Sequence, residues 1–224
     1  MQASLNLADE VRRELASLPR LDTPSVRSLR RRYSRVLADE SPKVVLRFVR
    51  SLLDRASWAD RVVSFEVLAA HQRAFDLLSD RLVEEMAHGL ADWGSVDLFG
   101  VTVLGPAWRA GLVTDSKIHA WARSQDRWRR RLALVATVPL NARARGGTGD
   151  ARRTLRVCRL LLADADDMVV KAMSWSLREL AKRDPTVVEA FLLKEEDRLS
   201  SRVKREVLSK LRTGLKSPHR RTRQ

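Results

Sequence analysis

The sequence predicts an all-α chain built as a solenoid of antiparallel helix pairs, on three observations. Its 224 residues hold only 9 Gly and 7 Pro, so long stretches run without a helix breaker. Helix-start signals recur, each followed by apolar residues at helical spacing. Trp58, Trp93 and Trp128 stand 35 residues apart, twice over. No run of alternating polar and apolar residues bounded by hairpin turns calls for a strand.

Taken in order, Thr23-Pro24 and Ser41-Pro42 each offer an N-cap hydroxyl before a proline at the first helical position. Val26, Leu29, Tyr33 and Val36 follow the first, and Val45, Phe48 and Leu52 the second. Ser57-Trp58-Ala59-Asp60 fits a capping box. From Trp128, a step of 40 reaches Met168, the extra residues matching the Arg145-Gly-Gly-Thr-Gly-Asp150 connection, read as flexible. A further step of about 33 reaches Ser201. A period near 35–40 with paired helices describes HEAT-like repeats, expected to form one domain over 1–212 with a basic, disordered tail over 213–224.

Charge narrows the function. Lys and Arg number 43 against 28 Asp and Glu, a net +15. Residues 1–100 carry 15 of each sign, and residues 101–224 carry 28 basic and 13 acidic. A one-sided field of this kind favours a polyanion, and nucleic acid is the commonest. No apolar stretch is long enough to span a bilayer and no amphipathic segment has a broad inserting face, so no membrane partner is expected. One cysteine excludes a disulfide framework and suits a reducing cytoplasm. The start of the chain lacks a signal-peptide pattern. The expectation is a cytoplasmic bacterial protein, associated with the nucleoid through DNA.

Aligning the helices on Trp58, Trp93, Trp128 and Met168 brings Val62, Asp97, Leu132 and Ala172 to one position. Asp97 is the departure: a carboxylate where the others are apolar, sharing a face with Trp93 one turn earlier. A one-residue slip, or an acid favoured near a helix N-terminus, accounts for it equally. Lys171, Trp175, Arg178 and Lys182 line one face of the 167–183 helix, while Val170, Met173, Leu177 and Leu180 supply its core stripe. A basic face with an interposed aromatic suits a nucleic-acid backbone and its bases. Arg127, Arg129, Arg130 and Arg131 form the densest helical basic cluster, with Trp128 read as core. The tail from Lys216 to Gln224 is positioned to add nonspecific affinity.

Other chemistries lack their residues. His71, His88, His119 and His219 show no metal-ligand spacing, and Cys158 lies in an apolar stretch. The Gly-Gly-Thr-Gly turn lacks the Lys-Ser/Thr of a phosphate loop, and no nucleophile-elbow motif appears. Three readings stay open on the residues alone: an enzyme acting on DNA, a non-catalytic helical-repeat module binding DNA by backbone and shape, and a scaffold for an acidic protein.

Three blocks carry a resemblance: Trp93-Gly-Ser-Val-Asp97, Asp126-Arg-Trp-Arg-Arg-Arg-Leu-Ala133, and Lys171 to Lys182 followed by Asp184-Pro185. They resemble the AlkD-like DNA alkylation repair glycosylases, from about Ser57 to Leu211. The first 55 or so residues match poorly. The resemblance implies a right-handed superhelical stack of HEAT-like pairs that holds duplex DNA. It implies hydrolysis of the N-glycosidic bond of N3- or N7-alkylated purines without swinging the base into a protein pocket, with no cofactor or metal, by a monomer. It implies Asp97 as the catalytic carboxylate, Trp93 and Trp175 as the aromatic pair at the lesion, and Arg131 and Arg178 on the DNA backbone. Lys204 and Arg205 form a weaker basic match, and Lys171 and Arg130 complete the expected DNA-binding set.

Overall fold

A side-chain carboxylate or hydroxyl caps the start of nearly every long helix among the described residues, and these caps set the frame for everything else. The computed structural model describes residues 2–54 and 56–217, with side chains from residue 7. Every regular element among them is helical. The order is α1 (Gln2–Ser17), α2 (Thr23–Val36), α3 (Pro42–Leu53), α4 (Trp58–Ala70), α5 (Gln72–Phe75), α6 (Asp80–Met86), α7 (Trp93–Phe99) and α8 (Gly105–Arg109). There follow α9 (Asp115–Ala122), α10 (Arg127–Val135), α11 (Val138–Asn141), α12 (Ala151–Leu160), α13 (Asp167–Ala181), α14 (Pro185–Lys194) and α15 (Ser201–Thr213). No described helix is long and apolar enough to cross a membrane.

The helix starts anticipated at Trp58, Trp93, Trp128, Met168 and Ser201 all lie on the first or second residue of a helix. The Ser57–Asp60 capping box forms with both of its bonds. One cap moves: Asp22, not Thr23, closes the start of α2 by accepting from the Ser25 N–H at 2.9 Å. A carboxylate is the stronger acceptor for the orphan N–H groups of a first turn. Ser41 precedes Pro42 as expected, but its hydroxyl makes no capping bond. Val36 is exposed and the neighbouring Leu37 takes the core place instead.

The chain packs as two compact units, Met1–Val113 and Thr114–Gln224. In unit 1, α2 packs on α4, α3 on both α1 and α4, and α4 on α7. Its core stacks Tyr33 on Phe48 (centroids 6.4 Å apart) and sets Phe65 against Phe99 (4.9 Å), with Trp108 fully buried nearby in the chain. A π-helical turn over Gly100–Leu104 joins α7 to α8. Pro106 just beyond has no N–H for the carbonyl four residues back, and a widened turn accommodates that loss.

In unit 2, α13 is the central helix, packed on α10, α12, α14 and α15. Val170, Met173, Leu177 and Leu180 are buried as anticipated, and so are Ala172, Ser174 and Ser176. The glycine-rich connection is pinned instead of flexible. Gly147 and Gly149 donate to the carbonyls of Ala142 and Leu140 at 3.0 and 2.9 Å. Arg183 donates through Nε to the Asn141 carbonyl at 2.7 Å and through Nη2 to that of Gly147. A Cβ on Gly147 would lie 2.4 Å from the Pro139 carbonyl oxygen, so only glycine fits this close approach. Beyond Thr213, Gly214 caps α15 with φ +73°, and Lys216 lies 3.6 Å from Glu206. The remainder of the expected tail, 218–224, falls outside the described residues.

Candidate DNA-repair site

The first turn of α7 carries the candidate carboxylate, and a network of three residues fixes that turn. Asp92 caps it, accepting from the Ser95 N–H at 2.9 Å. Arg61, on α4, donates to the Ser95 hydroxyl at 2.7 Å, to the Gly89 carbonyl at 3.1 Å and to the Asp92 carboxylate at 3.4 Å. Burial pushes the Asp92 carboxyl up, but the Ser95 hydroxyl and N–H and then Arg61 outweigh it and hold the carboxyl below its ordinary value of 3.8. Ser95 is buried, and Gly94 admits the close pass of the cap carboxylate. Trp93 is 63% exposed at the head of this turn, and Asp97 is half-buried one turn later on the same face. Arg61 went unseen in the sequence because nothing local links it to a residue 34 positions on.

Trp175, Arg178, Arg131, Arg130, Lys171, Lys204 and Arg205 belong to unit 2. Trp175 is half-buried on the face of α13 that also carries Lys171 and Lys182, both exposed. Arg178 is anchored from beneath: its Nε donates to the Ser174 hydroxyl at 3.2 Å, and that hydroxyl donates to the buried Glu206 carboxylate at 2.6 Å. Burial pulls the Arg178 guanidinium below its ordinary pKa, and Glu206 opposes that. Ser174 and Glu206 are therefore part of the basic face, although no charge pattern marks them.

Two arginines differ from the expectation of phosphate contact. Arg131 is only 6% exposed and donates to the Met168 carbonyl, tying α10 to α13. Arg130 is engaged by Asp164 (2.6 Å) and by the carbonyls of Ser124 and Gln125. Arg131 thus joins two helices, and Arg130 joins α10 to the turns that precede α10 and α13. Lys171 pairs with Asp167 at 2.6 Å, and Asp167 also takes Arg202, which holds its carboxyl below the usual range, Lys171 contributing most. Lys204 bonds the Glu196 carbonyl, and Arg205 is exposed. Trp128, expected in the core, is half-buried with the Arg127 guanidinium 4.9 Å from its ring centroid.

Counting from observed helix starts corrects the alignment. The caps of α10 and α13 are Asp126 and Asp166, one residue earlier than the Trp128 and Met168 anchors require. The fifth helical residues are then Arg27, Val62, Asp97, Arg131, Lys171 and Arg205 in α2, α4, α7, α10, α13 and α15. The position is charged in five of these helices, so Asp97 departs by sign and not by polarity. The one-residue slip was real, but it lay in unit 2.

His71 is a buried helix cap, its Nδ1 accepting from the Ala74 N–H and its Nε2 lying 3.2 Å from the Glu40 carbonyl. Cys158 is fully buried, and burial pushes its thiol up to about 12. Among the described residues no cluster of three or more His, Cys, Asp or Glu could hold a metal ion.

The chain belongs to the DNA alkylation repair enzyme family, which it matches over residues 20–211. The match begins well before Ser57 and takes in α2 and α3. The structure agrees with that extent, because α2 starts at Thr23, 35 residues before Trp58. No curated protein matches the chain. Membership makes DNA repair its functional class and DNA its substrate.

Proposed function

We propose that the protein is a monofunctional DNA glycosylase that hydrolyses the N-glycosidic bond of N3- and N7-alkylated purines in duplex DNA. The observation that carries this reading is the first turn of α7, which pairs an exposed Trp93 with Asp97 in a chain of this family. An N3- or N7-alkylpurine is already cationic, so it leaves without a strong general acid. The transition state then develops positive charge on the deoxyribose. A carboxylate such as Asp97 stabilises that charge and orients the attacking water, and an indole face adds cation–π attraction. The base leaves without being swung into a protein pocket, and neither metal nor cofactor enters. The basic face of α13, with Lys171, Arg178 and Lys182 around Trp175, supports backbone binding. The same reading takes the helix pairs as HEAT-like repeats and the working protein as a cytoplasmic monomer.

The test is incubation of the full chain with duplex DNA carrying N3- and N7-alkylpurines, with mass analysis of released bases. Release that collapses in Asp97→Asn supports the reading. Binding without release, identical in Asp97→Asn, overturns it in favour of a non-catalytic DNA-binding module.

A further inference from the structure

Six tryptophans occupy this chain. Trp108 and Trp121 are buried, Trp128 and Trp175 are half-buried, and Trp58 and Trp93 are exposed. No other aromatic side chain among the described residues is exposed. Trp93 belongs to the candidate site, while Trp58 has no part in it.

The fold does not require an indole at Trp58. The start of α4 is secured by the Ser57–Asp60 capping box, and the core face of the helix is filled by Val62, Val63, Phe65 and Leu68. Yet Trp58 stands 38% exposed as the first residue of α4, the position that Trp93 holds in α7. Arg61, one turn after Trp58, reaches Gly89, Asp92 and Ser95 at the start of α7. Those bonds bring the two helix starts side by side, so both exposed indoles open neighbouring helices at the same end. Arg127 covers the ring of Trp128 at the corresponding end of α10, a cover not found over Trp58 among the described contacts.

Resting on the reading of this protein as a DNA-binding repair enzyme, we propose that Trp58 is a second aromatic contact to the DNA backbone, placed on α4, the helix against which α7 packs. Its ligand is the apolar face of a backbone sugar in the same duplex. Packed helices lie about 8–10 Å apart, and nucleotides of one strand follow each other at about 3.4 Å. Trp58 therefore meets the DNA about three nucleotides from the one at Trp93. It contributes affinity and register, not chemistry, because it carries no group that titrates or attacks.

The experiment uses the full chain and a labelled duplex with a central tetrahydrofuran abasic analogue, read by fluorescence anisotropy. Companion duplexes end two nucleotides from the analogue on the 5′ or on the 3′ side. Trp58→Ala is expected to weaken binding to the long duplex roughly 5-fold, the loss of one aromatic side chain packed on the sugar of the backbone. Trp58→Phe restores most of it, and the thermal melt of both variants matches that of wild type. For wild type, shortening one side alone should cause a similar loss, and the same shortening should cost Trp58→Ala little. If Trp58→Ala binds every duplex as wild type does while wild type binds the long lesion duplex more tightly than an undamaged duplex of the same length, the Trp58 proposal falls and the repair reading stands. If wild type shows no DNA binding at all, the repair reading falls and takes the proposal with it.

Discussion

The two units divide the charge of the chain unequally. Residues 1–113 carry 16 basic and 15 acidic side chains, whereas residues 114–224 carry 27 basic and 13 acidic. At the fifth helical residue, α2, α4 and α7 of unit 1 place Arg27, Val62 and Asp97, and α10, α13 and α15 of unit 2 place Arg131, Lys171 and Arg205. Unit 1 also holds both exposed tryptophans. The nearly neutral unit carries the carboxylate Asp97, and the strongly basic unit supplies a long-range field that attracts a polyanion. The difference teaches that the net +15 belongs almost wholly to one unit, while the candidate carboxylate lies in the other.

The sharpest way to break that division is Asp97→Asn. Release of alkylated purine in single-turnover assays should fall about 10²- to 10³-fold, as for removal of one preorganised electrostatic group, with duplex affinity kept. An equal loss of affinity would mean that Asp97 supports the fold and not the chemistry. Within unit 2, Gly147→Ala forces a methyl against the Pro139 and Leu140 backbone. Thermal or urea unfolding should then show a loss of about 1–3 kcal/mol, and a neutral result would return this connection to the flexible class.

Arg178→Ala tests the attraction for a polyanion. Affinity should drop several-fold, and the slope of log affinity against log salt should shrink by about one charge. An unchanged slope would remove Arg178 from the interface. A smaller effect is expected at the support of the α7 turn, where Asp92→Ala should cost about 1 kcal/mol. Because the folded Asp92 carboxyl lies below its ordinary value, its contribution is fully present above roughly pH 4 and is lost as the pH falls further, through the folded value. Acid titration of wild type against the variant should show the two curves converging there. The smallest effect belongs to Cys158. With its thiol pushed up to about 12 in the core, it should react with maleimide at pH 8 only after denaturation.

Much of the frame was legible residue by residue. Capping boxes, prolines at helix starts and the tryptophan period are local signals, and they located the starts of α3, α4, α7, α10, α13 and α15 within one residue. The basic face of α13 was legible for the same reason, since i, i+4 and i+7 spacing needs no tertiary information. Arg131 and Arg130 were not, because charge says nothing about which carbonyl or carboxylate 34–37 residues away will claim it. The glycine-rich turn misled for a related reason: glycine marks flexibility and close approach alike, and Arg183 decides between them.

Sequence alone determined that this chain is helical, where several of its helices begin, how its charge is split, and which family motif places Trp93 before Asp97. Those properties follow from interactions within a turn or two of helix, or from simple summation of charge. Only the tertiary structure decided which polar side chains are consumed in joining one element to the next and which stay exposed. Arg61 became the brace of the α7 turn, Ser174 and Glu206 the anchor of Arg178, and Arg130 and Arg131 ties, because burial and hydrogen-bond partners are assigned by packing between elements distant in sequence. The exposure of Trp58 belongs to the same class of fact, since an indole at a helix start is core or surface only according to what lies over it.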